Sequence, residues 1–351
     1  MDQLPRQYPD TPRVAVLGIG QMGLVCAQVL GSERPGGTAA VVMWGHTAEE
    51  SGRLAQSRRS DRLPGFVLPE SVRVGLSDAQ ALSGVDLIVS AIPVQFMRSA
   101  WSRLREHVPA GAGVVSVAKG IENQTLLRPT QIIADVLGDD PDGPPRPLGA
   151  LSGPTIAAEL ARCLPATMVA ACDDAAFARW MQQLFSTSWL RIYTNPDVLG
   201  VELAGATKNV VAIAAGILDG LQAGYNAKSA LLARGLAEIA RLGTAMGAGR
   251  ETFFGVAGAG DLATTCFSPE GRNRSCGEAL GKGQKLDEYL ASSRSVVEGV
   301  ATTRSVMDLA RKYRVEMPIA AAVNAVLFEG LDPLEAITRL MSRELKGERV
   351  G

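Results

Sequence analysis

The chain has 351 residues, of which 46% are hydrophobic and 20% are charged, and its formal net charge at pH 7 is -1. This length favours two domains with a substantial core, and the small charge argues against nucleic acid or an anionic membrane surface as a partner. The N-terminus shows no basic-then-apolar leader, and no apolar run approaches the ~20 residues that a membrane helix needs. We therefore expect a soluble, cytoplasmic protein without membrane insertion.

The numbers and spacing of the cysteines and histidines argue against disulfides and metal sites. The cysteines are odd in number, scattered and without a C-x-x-C pair, which predicts reduced, mostly buried thiols and neither disulfides nor zinc ligands. They are Cys26, Cys163, Cys172, Cys266 and Cys276. His46 and His107 are the only histidines, so the chain is poorly supplied with metal ligands and we expect no metal site.

The first half of the chain alternates strands and helices. Short continuous apolar runs are typical of buried parallel strands. Such runs lie at 13–17, 40–44, 85–92, 113–118, 148–152, 166–170 and 190–194. A helix is predicted from Leu24 to about Leu30, and a Pro/Gly/Asp loop without an assigned role extends from Asp140 to Pro147.

After Asn195-Pro196-Asp197 the pattern becomes helical, with apolar residues at helical spacing. Helices are predicted at 198–220, 227–246, 278–282, 300–313 and 319–328. The predicted fold class is therefore α/β plus all-α. An N-terminal Rossmann domain with a doubly wound parallel sheet, 1–195, precedes a C-terminal helical domain for substrate binding and catalysis, 196–351. The default place for chemistry is between two such domains.

A dinucleotide fingerprint follows the first strand. Gly18-x-Gly20-x-x-Gly23 opens a helix at the start of a βαβ series, where glycines permit a tight turn and close approach of the backbone to a pyrophosphate. The helix N-terminus then faces the phosphates. This context predicts a nicotinamide dinucleotide cofactor.

The end of the second strand bears on the choice of cofactor. An NAD-specific site usually has an acidic residue there, whereas this chain has Trp44-Gly45-His46-Thr47 and no acid before Glu49. Three arginines follow, at positions 53, 58 and 59. We hypothesise that NADP(H) is accepted or preferred; the alternative is that these arginines are solvated and that selectivity is loose.

Lys208 lies in a nearly apolar predicted helix. Ala204 and Gly205 precede it by one turn and Val211 and Ala212 follow on the same face, so the amine has small, dry neighbours. Such surroundings lower the pKa of a lysine toward values useful for proton transfer. The chain uses 28 Arg and 7 Lys, which leaves few lysines for solubility alone. The alternative is a surface lysine whose amine reaches water at the helix edge.

Four further segments have residue types suited to binding an anionic substrate. Lys119 and the run from Ser152 to Thr155 follow buried strands at their carboxyl ends, where open α/β sheets bind ligands. Asp261 follows a glycine-rich bend. Gly271-Arg272-Asn273-Arg274 reads as a short basic loop whose arginine and amide groups suit a phosphate. Each segment alone also fits an ordinary structural role: a solvated lysine, a helix-capping Asp or a surface arginine cluster.

In their order along the chain these segments resemble the bacterial NAD(P)-dependent glycerol-3-phosphate dehydrogenases, and the resemblance spans nearly the whole sequence. The segments that carry it are 18–23, 117–120, 152–159, 203–210, 234–238, 258–262, 272–274, 296–299 and 316–318. The resemblance implies a Rossmann domain, a helical domain and a homodimer. The implied reaction is the reversible reduction of dihydroxyacetone phosphate to sn-glycerol 3-phosphate for phospholipid synthesis.

The resemblance also implies roles for individual residues. Lys208 would exchange the proton, Lys119 would polarise the same oxygen and Asp261 would orient Lys208. Arg272 and Asn273 would grip the phosphate. The implied substrate contacts are Lys119, Gly153, Thr155, Lys208, Asp261, Gly271, Arg272 and Asn273. The implied cofactor contacts are Gly18, Gly20, Gln21, Met22, Gly23, His46, Lys119, Ala157, Arg272, Val296 and Glu298.

The chain departs from the family pattern at three places. Gln21-Met22 replaces a hydroxyl and an aromatic residue in the glycine loop, Val94 replaces a serine after Pro93, and Gly271 replaces a hydroxyl residue before Arg272. Two rival interpretations stay open on chemistry alone. One is a sister dehydrogenase such as a 2-ketopantoate reductase or a β-hydroxyacid dehydrogenase. The other is a non-catalytic NADP(H)-binding sensor.

Overall fold

The computed structural model describes residues 8–32, 38–139, 145–293, 296–344 and 347. The chain divides into two compact units. The first comprises residues 1–118, 129–151 and 155–198, and the second comprises residues 119–128, 152–154 and 199–351. Two short segments from the first half of the sequence, 119–128 and 152–154, thus belong to the helical unit. Within the predicted loop from Asp140 to Pro147, residues 140–144 lie outside the described residues.

An eight-stranded sheet forms the centre of the first unit. Its strands are Arg13–Leu17 (β1), Ala40–Trp44 (β2), Arg73–Gly75 (β3), Leu87–Ser90 (β4), Gly113–Ser116 (β5), Leu148–Ser152 (β6), Ala166–Ala171 (β7) and Leu190–Asn195 (β8). The strand order is β3-β2-β1-β4-β5-β6-β7-β8. β1 pairs in parallel with both β2 and β4, so the order reverses beside β1. Ligands of open α/β sheets bind at the carboxyl ends of strands at this kind of switch point.

Helices accompany these strands, which confirms the doubly wound prediction. The helices of the first unit are Gln21–Gly31 (α1), Ala48–Ser57 (α2), Asp78–Leu82 (α3), Val94–Leu104 (α4), Pro129–Leu137 (α5), Ala157–Ala161 (α6) and Ala175–Phe185 (α7). A 3₁₀ turn, Arg105–His107, follows α4. The predicted strands 85–92 and 113–118 are shorter than expected, because β4 and β5 end at Ser90 and Ser116.

The second unit is helical, as predicted. Its helices are Val198–Gly220 (α8), Gly224–Ala245 (α9), Arg250–Phe254 (α10), Asp261–Phe267 (α11), Arg272–Gly281 (α12), Leu286–Ser292 (α13), Glu298–Tyr313 (α14), Pro318–Phe328 (α15) and Pro333–Met341 (α16). A π-helical turn, Val256–Gly260, precedes α11. The predicted helix 278–282 begins earlier, at Arg272, so the basic run 271–274 is the start of a helix and not a loop.

Helix α8 corrects one expectation from composition. It is long and apolar enough, by length and composition, to cross a membrane, with a mean hydropathy of 1.4. The expectation that no apolar stretch approaches this length is therefore wrong. However, 94% of that stretch is buried inside the protein. Its apolar surface is buried against the other helices of the second unit, as is typical of the central helix of a domain core.

Each unit has its own hydrophobic core. In the first unit, side chains such as Val16, Leu24 and Val89 fill the space between the sheet and its helices. In the second, Val210, Ile213 and other α8 side chains pack with α9, α14 and α15. All five cysteines are free, and only Cys163 is exposed. Burial raises the pKa of the other four thiols, which makes them weak nucleophiles at neutral pH.

Candidate active site

Lys208 is buried in the middle of α8. Every residue from Val201 to Ile213 is buried, and Lys208 itself is only 6% exposed. Its ammonium donates to the Oδ1 of Asp261 at 2.5 Å and to the hydroxyl of Thr265. The alternative of a surface lysine at the helix edge is therefore wrong.

Asp261 is the first residue of α11 and its side chain is 1% exposed. Its carboxylate does not cap the helix. One oxygen accepts from Lys208, and the other accepts from the Nζ of Lys119 at 2.8 Å. Thr265, one helical turn later, donates to the backbone carbonyl of Asp261 at 2.7 Å and presents its hydroxyl oxygen to Lys208. A single buried carboxylate thus bridges two lysines.

Lys119 begins the short segment 119–128 that joins the second unit. Its Nζ also donates to the carbonyl of Gly153 at 2.9 Å. The side-chain amide of Asn209, the neighbour of Lys208, donates to the backbone carbonyl of Lys119 at 3.3 Å. Further along the segment, the hydroxyl of Ser305 donates to the carbonyl of Ile121 at 3.1 Å. These contacts place the Lys119 amine beside the carboxylate it shares with Lys208.

A buried ion pair ties the other end of the same segment to α8. Arg128 bonds to the carboxylate of Glu202, whose side chain is 1% exposed. Glu202 lies on α8 just under two helical turns before Lys208 in the chain. Breaking such a buried pair is costly because it leaves an unpaired charge, so this pair holds the Lys119 segment firmly against the helix of Lys208.

The electrostatics of the cluster favour proton exchange at Lys208. Burial lowers the pKa of Lys208 to about 8, an effect that Asp261 opposes and the charge of Lys119 reinforces. Both the ammonium and the free amine are then accessible near neutral pH. Burial also raises the pKa of Glu298, and the charges of Arg272, Lys119 and Lys208 oppose that rise.

The N-terminus of α12 brings together groups of the kind that bind anions. The helix begins at Arg272, after the extended N-cap residue Gly271. The exposed Arg272 guanidinium donates to the carbonyl of Val296 at 3.3 Å. The Oδ1 of Asn273 accepts from the backbone N–H of Gly299 at 2.9 Å, which orients the amide. Free N–H groups at a helix start, with an arginine and an amide, are groups that bind phosphate.

Glycines bring this end close to the helix of Lys208. A Cβ on Gly216 of α8 would lie 1.9 Å from the carbonyl oxygen of Arg274, and one on Gly277 of α12 would lie 1.9 Å from that of Ile213. The two backbones therefore touch, which no larger residue would permit. Arg274 donates to Asp219 at 2.6 Å, so this third member of the basic run joins α12 to α8.

The glycine loop of the first unit fits a dinucleotide pyrophosphate. Gly18 has φ +109°, and a Cβ on Gly23 would lie 1.9 Å from the Gly18 carbonyl oxygen. At Gly20 a Cβ would meet no atom of the described part of the chain within 4 Å, so the backbone is open there. Gly20, the N-cap residue of α1, makes no side-chain capping bond. A helix start of this kind can present its backbone N–H groups to a phosphate.

The remaining predicted cofactor residues of the first unit lie at strand ends or helix starts. Gln21 begins α1 and Met22 packs against the first core. His46 is exposed just after β2, with its ring 6.1 Å from that of Trp44 in a T-shaped arrangement. Ala157 begins α6.

The predicted site residues are thus distributed over both units. The second unit contains Lys119, Gly153, Lys208, Asp261, Gly271, Arg272, Asn273, Val296 and Glu298. The first contains Gly18, Gly20, Gln21, Met22, Gly23, His46, Thr155 and Ala157. Within the described residues, no group of three or more His, Cys, Asp or Glu side chains could hold a metal ion.

Two further residues of the site are missing from the sequence prediction. Thr265 contacts Lys208 and Asn209 orients Lys119. Thr265 follows Asp261 by four residues, so its place on the same helix face could have been inferred from that spacing. The contact of Asn209 joins residues 90 positions apart and depends on the fold.

Comparison with known proteins gives consistent matches along the chain. Residues 13–178 match the family model of the NAD-dependent glycerol-3-phosphate dehydrogenase N-terminus, and residues 197–338 match that of the C-terminus. The chain is 42% identical over 336 residues to glycerol-3-phosphate dehydrogenase [NAD(P)+] 2 of Lactobacillus delbrueckii subsp. bulgaricus, covering 96% of this chain and 98% of that protein.

Two further proteins show the same relationship. The chain is 43% identical to glycerol-3-phosphate dehydrogenase [NAD(P)+] of Thermobifida fusca over 340 residues, covering 97% of this chain and 99% of that protein. The crystal structure of glycerol-3-phosphate dehydrogenase from Coxiella burnetii aligns with a TM-score of 0.88 at 33% identity, covering 95% of this chain and all of that one.

Proposed function

The chain belongs to the NAD-dependent glycerol-3-phosphate dehydrogenase family, and we propose that Lys208, Lys119 and Asp261 carry out its proton chemistry. The protein is an oxidoreductase that reversibly reduces dihydroxyacetone phosphate to sn-glycerol 3-phosphate with NADH or NADPH. This reaction supplies the backbone of glycerophospholipids. The observation that carries the proposal is the buried Asp261 carboxylate shared by two lysines.

Lys208 is the residue that exchanges the proton with the substrate oxygen. When bound, the reduced cofactor supplies the hydride that C2 of dihydroxyacetone phosphate accepts. In that direction the Lys208 ammonium protonates the oxygen on C2. In the reverse direction the neutral amine removes the hydroxyl proton. A pKa of about 8 keeps both forms populated near neutral pH.

Lys119 stabilises negative charge on the same oxygen. Its ammonium is fixed by Asp261 and the carbonyl of Gly153, so little reorganisation is needed as charge develops. Asp261 accepts from both ammonium groups, and its negative charge offsets the repulsion between the two positive charges. Gly153 and Thr155 are the further substrate contacts that the family resemblance predicts.

Arg272, Asn273 and the backbone at Gly271 bind the substrate phosphate in this proposal. The start of α12 supplies N–H groups, and Arg272 adds a full positive charge that can bind two phosphate oxygens. Because Gly271 lacks a hydroxyl, the phosphate must rely on these groups. The carbonyl of Val296 accepts from Arg272, and Glu298 directly precedes Gly299, whose N–H donates to Asn273. Val296 and Glu298 are proposed to bind the nicotinamide half of the cofactor together with Lys119 and Arg272.

The cofactor-binding residues of the first unit follow the same family pattern. We propose that the pyrophosphate is bound at the start of α1 and that His46 lies at the ribose end. The proposed contacts are Gly18, Gly20, Gln21, Met22, Gly23, His46 and Ala157. The open backbone at Gly20 supports this proposal.

The family resemblance further supports a cytoplasmic homodimer. Light scattering on the purified protein tests the subunit number: a mass twice that of the 36.9 kDa chain is expected, and a mass equal to one chain would contradict the dimer.

Two substitutions test the proposed roles directly. Lys208→Ala should lower kcat by about 10²- to 10⁴-fold, because the proton donor is lost, with cofactor affinity close to normal.

Arg272→Ala should raise KM for dihydroxyacetone phosphate by about ten- to a hundredfold, because a charge-assisted bond is lost. An unchanged kcat in the first variant, or an unchanged KM in the second, would remove the role in question.

Exposed ion pairs of the same unit provide controls. Lys282 is 62% exposed and pairs with Glu278, and Arg311 is 71% exposed and pairs with Asp308. Lys282→Ala and Arg311→Ala should leave both kinetic constants unchanged. Turnover of ketopantoate in place of dihydroxyacetone phosphate would contradict the substrate assignment.

A further inference from the structure

The turn after β2 is where a Rossmann site distinguishes NADP(H) from NAD(H). β2 ends at Trp44, and the Thr47 hydroxyl caps α2 by accepting from the N–H of Glu50 at 3.1 Å. The sequence has no acidic residue between Trp44 and Glu49. Selectivity therefore depends on the charged groups that the fold brings to this turn.

Two of the three arginines singled out from the sequence, Arg53 and Arg58, are poor candidates for that role. The guanidinium of Arg58 donates to the backbone carbonyls of Leu68, Pro69 and Val72. Its charge therefore serves to close the loop after α2. Arg53 is 70% exposed and only loosely paired with Glu49, at 3.8 Å on its own helix.

Arg62 occupies the better position. Its guanidinium lies 2.5 Å from the carboxylate of Glu50. Glu50 belongs to the first turn of α2, so the guanidinium lies close to the turn after β2, where the adenosine ribose of a bound dinucleotide is expected. Its backbone carbonyl accepts from the side-chain amide of Gln21 at 2.8 Å. Gln21 opens α1 in the glycine loop. Arg62 thus connects the pyrophosphate loop with the turn after β2.

The loop that presents Arg62 is held by the core. Leu63, Phe66 and Leu68 are buried in the first hydrophobic core, and the backbone N–H of Leu68 donates to the carbonyl of Arg58 at 2.8 Å. The side chain of Arg62 is nevertheless 54% exposed. A cation on a fixed backbone with an accessible guanidinium is preorganised for an anionic ligand.

We propose that Arg62 binds the 2′-phosphate of NADP(H) and sets the preference for this cofactor over NAD(H), an inference that rests on the proposed dinucleotide site. A phosphate dianion offers more charge and more acceptor oxygens than the single Glu50 carboxylate, and arginine binds it in a bidentate manner. Glu50 keeps the guanidinium in place until the phosphate displaces it. NAD(H) has no phosphate there and gains nothing from Arg62.

The test compares both cofactors in the full-length enzyme. Arg62→Gln should lower kcat/KM for NADPH on the order of ten- to a hundredfold, the loss of a charge-assisted bond, and leave kcat/KM for NADH within about twofold. Arg62→Lys should retain most of the preference, because it keeps the charge. Arg98→Gln is the matched control, since Arg98 forms an ion pair of the same 2.5 Å length with Asp135.

Binding without turnover gives a second measurement. Calorimetry with 2′,5′-ADP and with 5′-AMP isolates the 2′-phosphate contact, and Arg62→Gln should weaken the binding of 2′,5′-ADP only. Glu50→Gln should tighten the binding of 2′,5′-ADP, because it removes the carboxylate that competes with the 2′-phosphate for Arg62. Equal losses for both nucleotides in Arg62→Gln, or a loss of preference in Glu50→Gln as large as in Arg62→Gln, would show that the pair only shapes the loop and would overturn the proposal. Failure of the wild-type enzyme to turn over dihydroxyacetone phosphate would count against the proposed function, and the nucleotide comparison would still decide the role of Arg62.

Discussion

The ammonium of Lys208 and the carboxylate of Asp261 lie 2.5 Å apart in a place where 7% and 1% of the two side chains are exposed. Removal of water lowers the pKa of the amine, and the carboxylate limits that fall. The pair therefore does more than neutralise buried charge. It leaves Lys208 with a pKa of about 8, at which the ammonium and the free amine are both populated near neutral pH.

The first prediction is a pair of opposite pH profiles. Reduction of dihydroxyacetone phosphate needs the Lys208 ammonium, so kcat/KM should be constant below about pH 8 and fall about tenfold per unit above it. Oxidation of glycerol 3-phosphate needs the free amine, so its kcat/KM should rise up to about pH 8 and then level off. Steady-state rates between pH 6 and 11 check both limbs. A bend near pH 10.5, the ordinary pKa of lysine, would show that the titrating group does not have the lowered pKa of the buried Lys208.

The second prediction concerns Asp261→Asn. The substitution keeps the shape but removes the charge that raises the pKa of Lys208. The falling limb for reduction should therefore move to lower pH, and kcat on the plateau should drop by about a hundredfold as the donor loses its orientation. The shifted limb is the decisive measurement, since a purely structural role for Asp261 would lower activity without moving it.

The third prediction tests the phosphate end through Gly299. A Cβ at this position would lie 2.7 Å from the Oδ1 of Asn273 and 2.9 Å from the carbonyl oxygen of Asn209. Gly299→Ala should displace the Asn273 amide and raise KM for dihydroxyacetone phosphate by about tenfold, with a loss of stability of about 1–3 kcal/mol from overpacking.

A control for this variant is Gly111→Ala, where a Cβ would meet no described atom within 4 Å. It should leave KM and the melting temperature almost unchanged. If Gly299→Ala lowered stability but kept the wild-type KM, the Asn273 amide would not be a phosphate ligand.

The strands show how far a local pattern can predict this fold. β1, β2 and β6 have the predicted bounds because a buried parallel strand is a short, continuous apolar run. The pattern does not predict β3, since Arg73–Gly75 contributes a single apolar side chain. It also misplaces the start of α12, because the first turn of this helix, Arg272-Asn273-Arg274, is polar and lacks the apolar spacing that marks a helix.

In the active site, too, some features can be predicted from neighbouring residues, whereas others depend on contacts between residues far apart in the sequence. The neighbours of Lys208 on one helix favour its burial, but from the sequence alone a surface lysine at the helix edge stays an alternative. Its partner Asp261, 53 residues away, is implied only by the family resemblance, and the Arg128–Glu202 pair, 74 residues apart, is not predicted from the sequence. Only the packing of α8 against the segment 119–128 and α11 shows that one carboxylate serves both lysines.

The fourth prediction concerns stability and pH at Glu238. This carboxylate on α9 is 5% exposed and accepts from the backbone N–H groups of Ile319 and Ala320 at the start of α15. Burial raises its pKa from 4.5 to about 7. Between these values the folded protein holds a proton that the unfolded chain has released, so this group's contribution to stability falls as the pH rises from about 4.5 to 7 and is constant above.

Glu238→Gln removes that titration and, like the protonated carboxyl group, keeps a carbonyl oxygen that can accept from the N–H of Ile319, the shorter of the two bonds. The variant should match the wild type near pH 4.5 and exceed its free energy of unfolding above pH 7, by on the order of 3 kcal/mol at most. Denaturant titrations from pH 4.5 to 8.5 measure the difference, with Glu335→Gln, an exposed glutamate paired with Arg339, as the control. A wild-type-minus-variant difference that does not change with pH would mean that Glu238 remains ionised in the folded protein, with the charge of Arg241 and the α15 N–H groups outweighing the cost of its burial.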